Sequence, residues 1–256
     1  MKKILIVFII ITILSSCSNK INVDVYDKVI KDGVINIAME GTWSPWTYHD
    51  ENDNLVGFDT EIGEEIAKRL GVRPNFIEGE WDGLLAGITS GRYDIMINGV
   101  DITDERKKAY DFSEPYAKMK TAIIVNSNNN DIKSFDDLKS KKTANTISST
   151  YAEIAEKYGA TVIGVDDLTQ TFELLEQNRV DATLNAEVTY YDYIKNHGNK
   201  NIKIAALSEE GNLIGIPIKK GNEKMLNEIN RILEDMKNDK TLLNLSIKYF
   251  GTNIVD

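Results

Sequence analysis

Gly91-Arg92-Tyr93-Asp94-Ile95-Met96-Ile97-Asn98-Gly99-Val100-Asp101-Ile102-Thr103-Asp104-Glu105-Arg106 decides how the rest of the chain is read. Tyr93 to Ile97 has the apolar character of a strand buried on both faces, as in the middle of a parallel sheet. The run breaks at Asn98-Gly99 into small and polar residues, and Thr103 with Asp104 and Glu105 has the composition of a helix start. A buried strand that ends in a polar loop ahead of a helix marks the ligand crevice of open α/β sheets. Here Asn98 and Asp101 offer side-chain groups, Gly99 permits close backbone approach, and Arg106 carries a planar fork suited to a carboxylate. The same arginine would equally suit a solvated helix face, paired with Asp104 or Glu105.

Upstream, Val34 to Met39 alternates as a first strand. Asp59 to Leu70 follows as a helix with Ile62, Ile66 and Leu70 on one face, Asp59 or Thr60 as cap and Gly71 past its end. Val72 to Ile77 is a second strand, and Trp81 to Ser90 a helix closed by Gly91. This β-α-β-α-β order predicts a parallel sheet with helical crossovers. Downstream, Thr121 to Val125 is a β-rich run, and the polar stretch Asn126 to Asp131 marks a boundary before a second α/β block. That block holds a helix from Thr150 to Tyr158 with a Thr150/Glu153 capping box, a helix striped by Leu168, Phe172 and Leu175, a strand at Ala182 to Leu184 and a helix from Glu187 to Lys195. Asn212 to Ile218 reads as a return strand, and two helices fill Glu223 to Tyr249. The expected fold is α/β with two lobes, each a mostly parallel sheet flanked by helices, joined by two crossing hinge segments around a cleft. Residues 34–120 and 215–256 are assigned to lobe one and 121–214 to lobe two.

Composition narrows the function classes. With 30 Lys+Arg against 40 Asp+Glu the formal charge is −10, so no basic face for nucleic acid is expected. Two histidines and one cysteine leave no ligand set for a Cys₄ zinc site or an iron–sulfur cluster, and no pair for a disulfide. Neither a metal nor a cofactor is expected. Residues 1–17 combine Lys2-Lys3, an apolar run from Ile4 to Leu14 and small residues before Cys17, the proportions of an export signal. Leu14-Ser15-Ser16-Cys17 resembles the bacterial lipobox, which implies lipidation of Cys17, membrane contact through that anchor and an exported location. Residues 18–33 then read as a polar tether.

Glu40-Gly41-Thr42-Trp43-Ser44-Pro45-Trp46, Gly57-Phe58-Asp59, the 91–106 stretch and Asp111-Phe112-Ser113-Glu114-Pro115-Tyr116 occur in that order. Together they resemble the family 3 extracellular solute-binding proteins, the polar amino-acid receptors of ABC importers, from about Val34 to Phe250. The resemblance implies a type II periplasmic-binding-protein clamshell, not an enzyme, that closes as a monomer on a free amino acid and delivers it to a membrane permease. It implies that Arg106 grips the ligand carboxylate and that Asn98 and Gly99 add contacts. Trp43 is implied to lie against the ligand side chain, with Trp81 lining the pocket and Glu40 meeting the side chain or ammonium. Trp46 and Tyr48 are assigned to the core. In the family a Gly-Thr-Thr or Gly-Thr-Ser starts the facing helix. This chain has Ser148-Ser149-Thr150, so Ser149, Thr150 and the helix N-terminus remain as an anion site.

Asn185 also falls in the implied pocket, but Ala186 stands where many relatives carry the aspartate that binds the α-ammonium. Conversely, Asp101 stands at a position usually Thr or Ser. A buried ammonium without a counter-charge is costly, so Asp101 is expected to compensate, with Glu187 or Glu40 as alternatives. The motifs look most like those of cystine-type receptors; glutamine, histidine and basic amino acids stay open. Two rival functions remain on the same fold. One is a cyclohexadienyl (prephenate or arogenate) dehydratase drawing its acid from Glu40 or Asp101, and the other a ligand-sensing module for a signalling partner.

Overall fold

The structure, a computed structural model, describes residues 24–198 and 201–255. The expected leader 1–17 with Cys17, and residues 18–23 of the expected tether, lie outside the described residues. From Asp24 on, the tether expectation is corrected. Asp24 caps a helix, α1 (Val25–Asp32), which Gly33 ends in the left-handed conformation. Its polar sequence hides a single anchoring residue: Val29 is fully buried, with Val25 and Tyr26 packed beside it.

The chain continues into β1 (Val34–Met39) and an antiparallel meander of β2 (Thr42–Trp43), β3 (Thr47–His49) and β4 (Leu55–Val56), strands too short to show a period in the sequence. Then follow α2 (Phe58–Leu70), β5 (Arg73–Glu78), α3 (Trp81–Ser90), β6 (Ile95–Met96), α4 (Asp104–Ala109) and β7 (Tyr110–Phe112). Neither Asp59 nor Thr60 caps α2: both are buried in its first turn, and Gly57 takes the cap position. A Cβ on Gly57 would stand 2.2 Å from the Trp46 carbonyl oxygen, so only glycine fits there. β8 (Ala117–Asn126) carries the chain into the second lobe. There β9 (Lys142–Asn145), α5 (Thr150–Lys157), β10 (Thr161–Gly164), α6 (Leu168–Glu176), β11 (Ala182–Ala186) and α7 (Glu187–His197) precede β12 (Ile202–Ile214), which leads back. β13 (Pro217–Lys219), α8 (Glu223–Asn238) and α9 (Thr241–Phe250) finish the first lobe. The single return strand expected over Asn212 to Ile218 is thus split at Gly215 between β12 and β13.

The two sheets run β5-β1-β6-β13-β7 and β10-β9-β11-β8-β12. In each, two neighbouring pairs are parallel and two antiparallel, because one strand, β13 in the first sheet and β8 in the second, runs against the other four, so the sheets are mixed. The parallel strands follow helical crossovers. β8 and β12 pass directly between the lobes and β13 follows β12 with no helix between them, and strands joined without a helical crossover pair antiparallel with their neighbours. β8 and β12 pair along their length, from Ala117 with Ile214 to Asn126 with Ile202, with irregularities near Ile204 and Leu207.

Alternation along β1 sends Ile35, Ile37 and Met39 to one face of the first sheet, where α2, α8 and α9 add Ile62, Ile66, Met225, Ile229 and Leu242. Ala38 faces the other side, against Trp81, Leu84 and Ile88 of α3. The second sheet repeats the plan, with Ala122 and Ile124 packed on Phe172 and Leu175 of α6, and Ile123 and Val125 facing Ala155 of α5. The ends of β1, β6, β9 and β11 meet the gap between the lobes, where Glu40, Gly99, Asn145 and Asn185 line one cavity.

Candidate ligand-binding cleft

Asp59, at the start of α2, builds the first wall. Its carboxylate accepts from the Gly99 N–H at 2.5 Å and from the Tyr116 hydroxyl at 2.9 Å, which fixes the loop after β6. Complete burial outweighs both donors and pushes this carboxyl up to about 7. Gly99 has φ 54°, and a Cβ there would lie 2.6 Å from the Trp43 ring. Trp43 is in turn backed by Trp46, ring centroids 5.2 Å apart and stacked. Asn98 faces Glu40: it accepts from the Glu40 N–H and donates to the Glu40 carboxylate, both at 2.7 Å. Burial drives the Glu40 carboxyl up to about 7 against the Asn98 hydrogen bond, and the charges of Asp167 and Asp82 push the same way.

Arg106 is 8% exposed, which excludes the solvated-face reading. Thr103 caps α4 by accepting from the Arg106 N–H at 3.1 Å. The guanidinium lies over the Trp81 ring, 5.2 Å from its centroid. It donates to the Asp101 carbonyl at 3.1 Å and, across the cleft, to the Ser148 carbonyl at 3.3 Å. Burial lowers its pKa and the Asp101 charge opposes that, but an arginine stays protonated.

The second wall is the start of α5. Ser149, not Thr150, is the cap: its hydroxyl accepts from the Ala152 N–H at 3.1 Å. Thr150 is thereby the first helical residue, and its hydroxyl is free to donate to the Asp101 carboxylate in the other lobe. Burial raises the Asp101 carboxyl, while Thr150 and Arg106 pull it down. Asp101 also bridges to Ile214 at the end of β12, so the cleft floor is tied to a crossing strand. Two further contacts join the lobes. Asp82 accepts from the Ser148 N–H at 3.1 Å and hydroxyl at 2.5 Å, and Ser44 donates to Asp192 at 2.7 Å. The lobes are closed on one another.

Between them lies a small, partly open cavity of about 50 Å³. Of the residues singled out in the sequence, Glu40, Trp43, Trp81, Gly99 and Asp101 line it from the first lobe. Ser149, Thr150 and Asn185 line it from the second. Asn98 and Arg106 stand behind this lining, held to Glu40 and stacked on Trp81. Glu187 lines a different groove with Lys118 and Ile254, which removes it as an ammonium partner in the cleft. Sequence reading missed Asn145, at the end of an unforeseen strand, and Asp167 with Thr171, where the first turn of α6 was read only as apolar stripe.

The model of the bacterial extracellular solute-binding proteins, family 3, matches residues 35–252. The L-cystine-binding protein TcyA of Bacillus subtilis (strain 168) is 39% identical over 232 residues, 90% of this chain and 86% of that protein. Among solved structures, an ancestral arginine-binding protein bound to glutamine shares 38% identity over 86% of this chain and 99% of that one, with a TM-score of 0.81. The L-cystine solute receptor of Neisseria gonorrhoeae in its unliganded open conformation is 36% identical over 90% of this chain and 98% of that one, yet its TM-score is 0.58. At nearly equal identity the liganded structure superposes far better than the open one, in keeping with the four contacts that close the lobes here.

Proposed function

This chain belongs to family 3 of the bacterial extracellular solute-binding proteins, and from that premise we propose that it captures a free polar amino acid, cystine-like by preference, and delivers it to an ABC importer. The observation that carries this reading is the meeting of a buried guanidinium and a helix start across the cleft, joined where Arg106 donates to Ser148 and Thr150 donates to Asp101. A ligand α-carboxylate fits between Arg106 and the N–H groups of Thr150 and Tyr151, which the Ser149 cap leaves as donors at the N-terminus of α5. Asp101 supplies the counter-charge for the α-ammonium in place of the acid that Ala186 lacks. Trp43 and Trp81 offer ring faces to the rest of the solute, and Asn98, through Glu40, and Asn185 complete the polar lining.

Closure follows from differential contact. In the open state a zwitterion touches one wall; in the closed state it touches both, and only the difference favours closing. Exclusion of water strengthens each charge-assisted hydrogen bond. The Leu14-Ser15-Ser16-Cys17 motif supports an exported protein held to the membrane by lipid on Cys17, within reach of its permease.

A thermal-shift screen against the free amino acids and cystine tests the proposal, since a ligand that binds only the native state raises its apparent stability by mass action. At least one should shift the protein, and Arg106→Ala should abolish the shift while the unliganded variant stays folded. No shift from any of them, or an undiminished shift in the variant, would refute the reading. Prephenate and arogenate should be recovered unchanged after incubation; turnover of either would make the chain an enzyme drawing its acid from Glu40 or Asp101.

A further inference from the structure

Behind the carboxylate grip the cleft holds a second group of acceptors that the α-amino-acid head does not use. Asn145 is 3% exposed and lines the cavity. Its amide nitrogen donates to the Leu184 carbonyl at 2.8 Å and toward the Thr183 hydroxyl at 3.4 Å. Thr183 gives its own proton to the Ala144 carbonyl at 2.7 Å, so it faces Asn145 as an acceptor. Both partners demand the NH₂ group, which fixes the amide orientation and leaves Oδ1 buried without a hydrogen-bond partner. A buried, unpaired acceptor is destabilising unless a donor reaches it.

Asp167 lines the same cavity from the second lobe. Its carboxylate is held in place by capping α6, accepting from the Gln170 N–H at 2.9 Å. Glu40 lines it from the first lobe, clamped by Asn98. Closing the lobes brings these two carboxylates into each other's field, which contributes to the raised Glu40 pKa. Like charges drawn together in a drying cleft repel unless a cation stands among them. Asp101 is engaged by Thr150 and close to the Arg106 charge, and so belongs to the head-group end.

We propose that the solute carries a second cationic group beyond its α-ammonium, and that Asn145 Oδ1, Asp167 and Glu40 receive it. This deepens the amino-acid reading and rests on it. The class is the amino acid with two cationic ends: a side chain ending in an ammonium or guanidinium, or a second amino-acid head as in cystine. Glutamate and glutamine fall outside it.

Isothermal titration calorimetry on the purified protein tests this with matched probes: L-cystine, the cysteine–cysteamine mixed disulfide, the cysteine–3-mercaptopropionate mixed disulfide, and L-lysine beside L-norleucine. The cysteamine adduct keeps the distal ammonium and loses its carboxylate; the mercaptopropionate adduct does the reverse. In whichever series binds, the probe lacking the distal ammonium should bind about 10- to 100-fold more weakly, the range for losing a charge-assisted partner. Asp167→Asn, which keeps the cap of α6, and Asn145→Leu should each shrink that ratio several-fold. Should Asn145→Leu fail to fold, Asp167→Asn with Glu40→Gln carries the comparison. A neutral amino acid binding more tightly than every two-cation probe, or a ratio unchanged in Asp167→Asn, overturns this inference alone. Binding of no amino acid at all overturns the functional reading and this inference with it.

Discussion

Gly99→Ala probes the cleft at the point where backbone, ring and carboxylate converge. The new Cβ would stand 2.6 Å and 2.8 Å from two carbons of the Trp43 ring, where ordinary contact begins at 3.4 Å, so the ring must retreat by several tenths of an ångström. It cannot retreat toward the core. Trp46 is stacked behind it, fully buried, and packed on Phe58 and Phe250. The φ of 54° adds about 1–2 kcal/mol for a residue with a Cβ, and overpacking a well-filled site adds about 1–3 kcal/mol. A loss of about 2–4 kcal/mol in urea unfolding is expected from these two costs. Calorimetry should show amino-acid affinity falling by about tenfold or more as Trp43 tips into the cavity. Gly91→Ala is the control. It shares a left-handed φ of 76° but has nothing within 4 Å of its Cβ, so it should cost only the backbone share. A Gly99→Ala loss no larger than that of Gly91→Ala, with affinity intact, would refute the packing argument.

Other perturbations separate closure, charge and packing. Asp82→Ala removes the acceptor for the Ser148 N–H and hydroxyl, an exposed contact of about 1 kcal/mol. Ligand should then leave about three- to tenfold faster in stopped-flow, and an unchanged off-rate would show that this contact does not hold the closed state. Burial lifts Asp59 from 3.8 to about 7, so the folded chain keeps a proton that the unfolded chain releases. Its contribution is fully present below the lower value and is lost as the pH rises through the upper one. Asp59→Asn should flatten the fall in Tm across that window, leaving the share of Glu40, and a Tm profile parallel to wild type would refute the assignment. Val29→Asp places a charge at a fully buried position and should cost about 3 kcal/mol or more by urea unfolding. A loss below about 0.5 kcal/mol would mean that α1 does not dock on the lobe.

The parallel centre of the first sheet was legible because helical stripes such as Ile62, Ile66 and Leu70 alternate with apolar strand runs, and because Gly71 and Gly91 end helices in the conformation that favours glycine, whereas β9 and β10 of the second sheet are four residues each and were not read. The antiparallel completion was not legible. β12 mixes half-buried and exposed residues through two irregularities, so no period of two survives in its sequence. β2 and β4 are two residues long, and α1 rests on one fully buried side chain. Local capping signals erred by one or two residues. Ser149 and Thr150 are chemically equivalent as caps, and only the position of Asp101 in the other lobe shows which hydroxyl is needed elsewhere. The loop after β6 announced itself through Asn98, Gly99 and Arg106, but Asn145 and Asp167 carry no local mark. A buried acceptor is recognised by what surrounds it in space, and its neighbours Thr183 and Leu184 are 38 and 39 residues away.

A crystal structure with the tightest-binding amino acid tests the central claim most directly. The ligand carboxylate should sit within hydrogen-bond distance of both the Arg106 guanidinium and the first backbone N–H groups of α5, with the lobes closed over it. A solute held by one lobe alone, its carboxylate away from Arg106 while the guanidinium keeps the Asp101 and Ser148 carbonyls, would contradict the account.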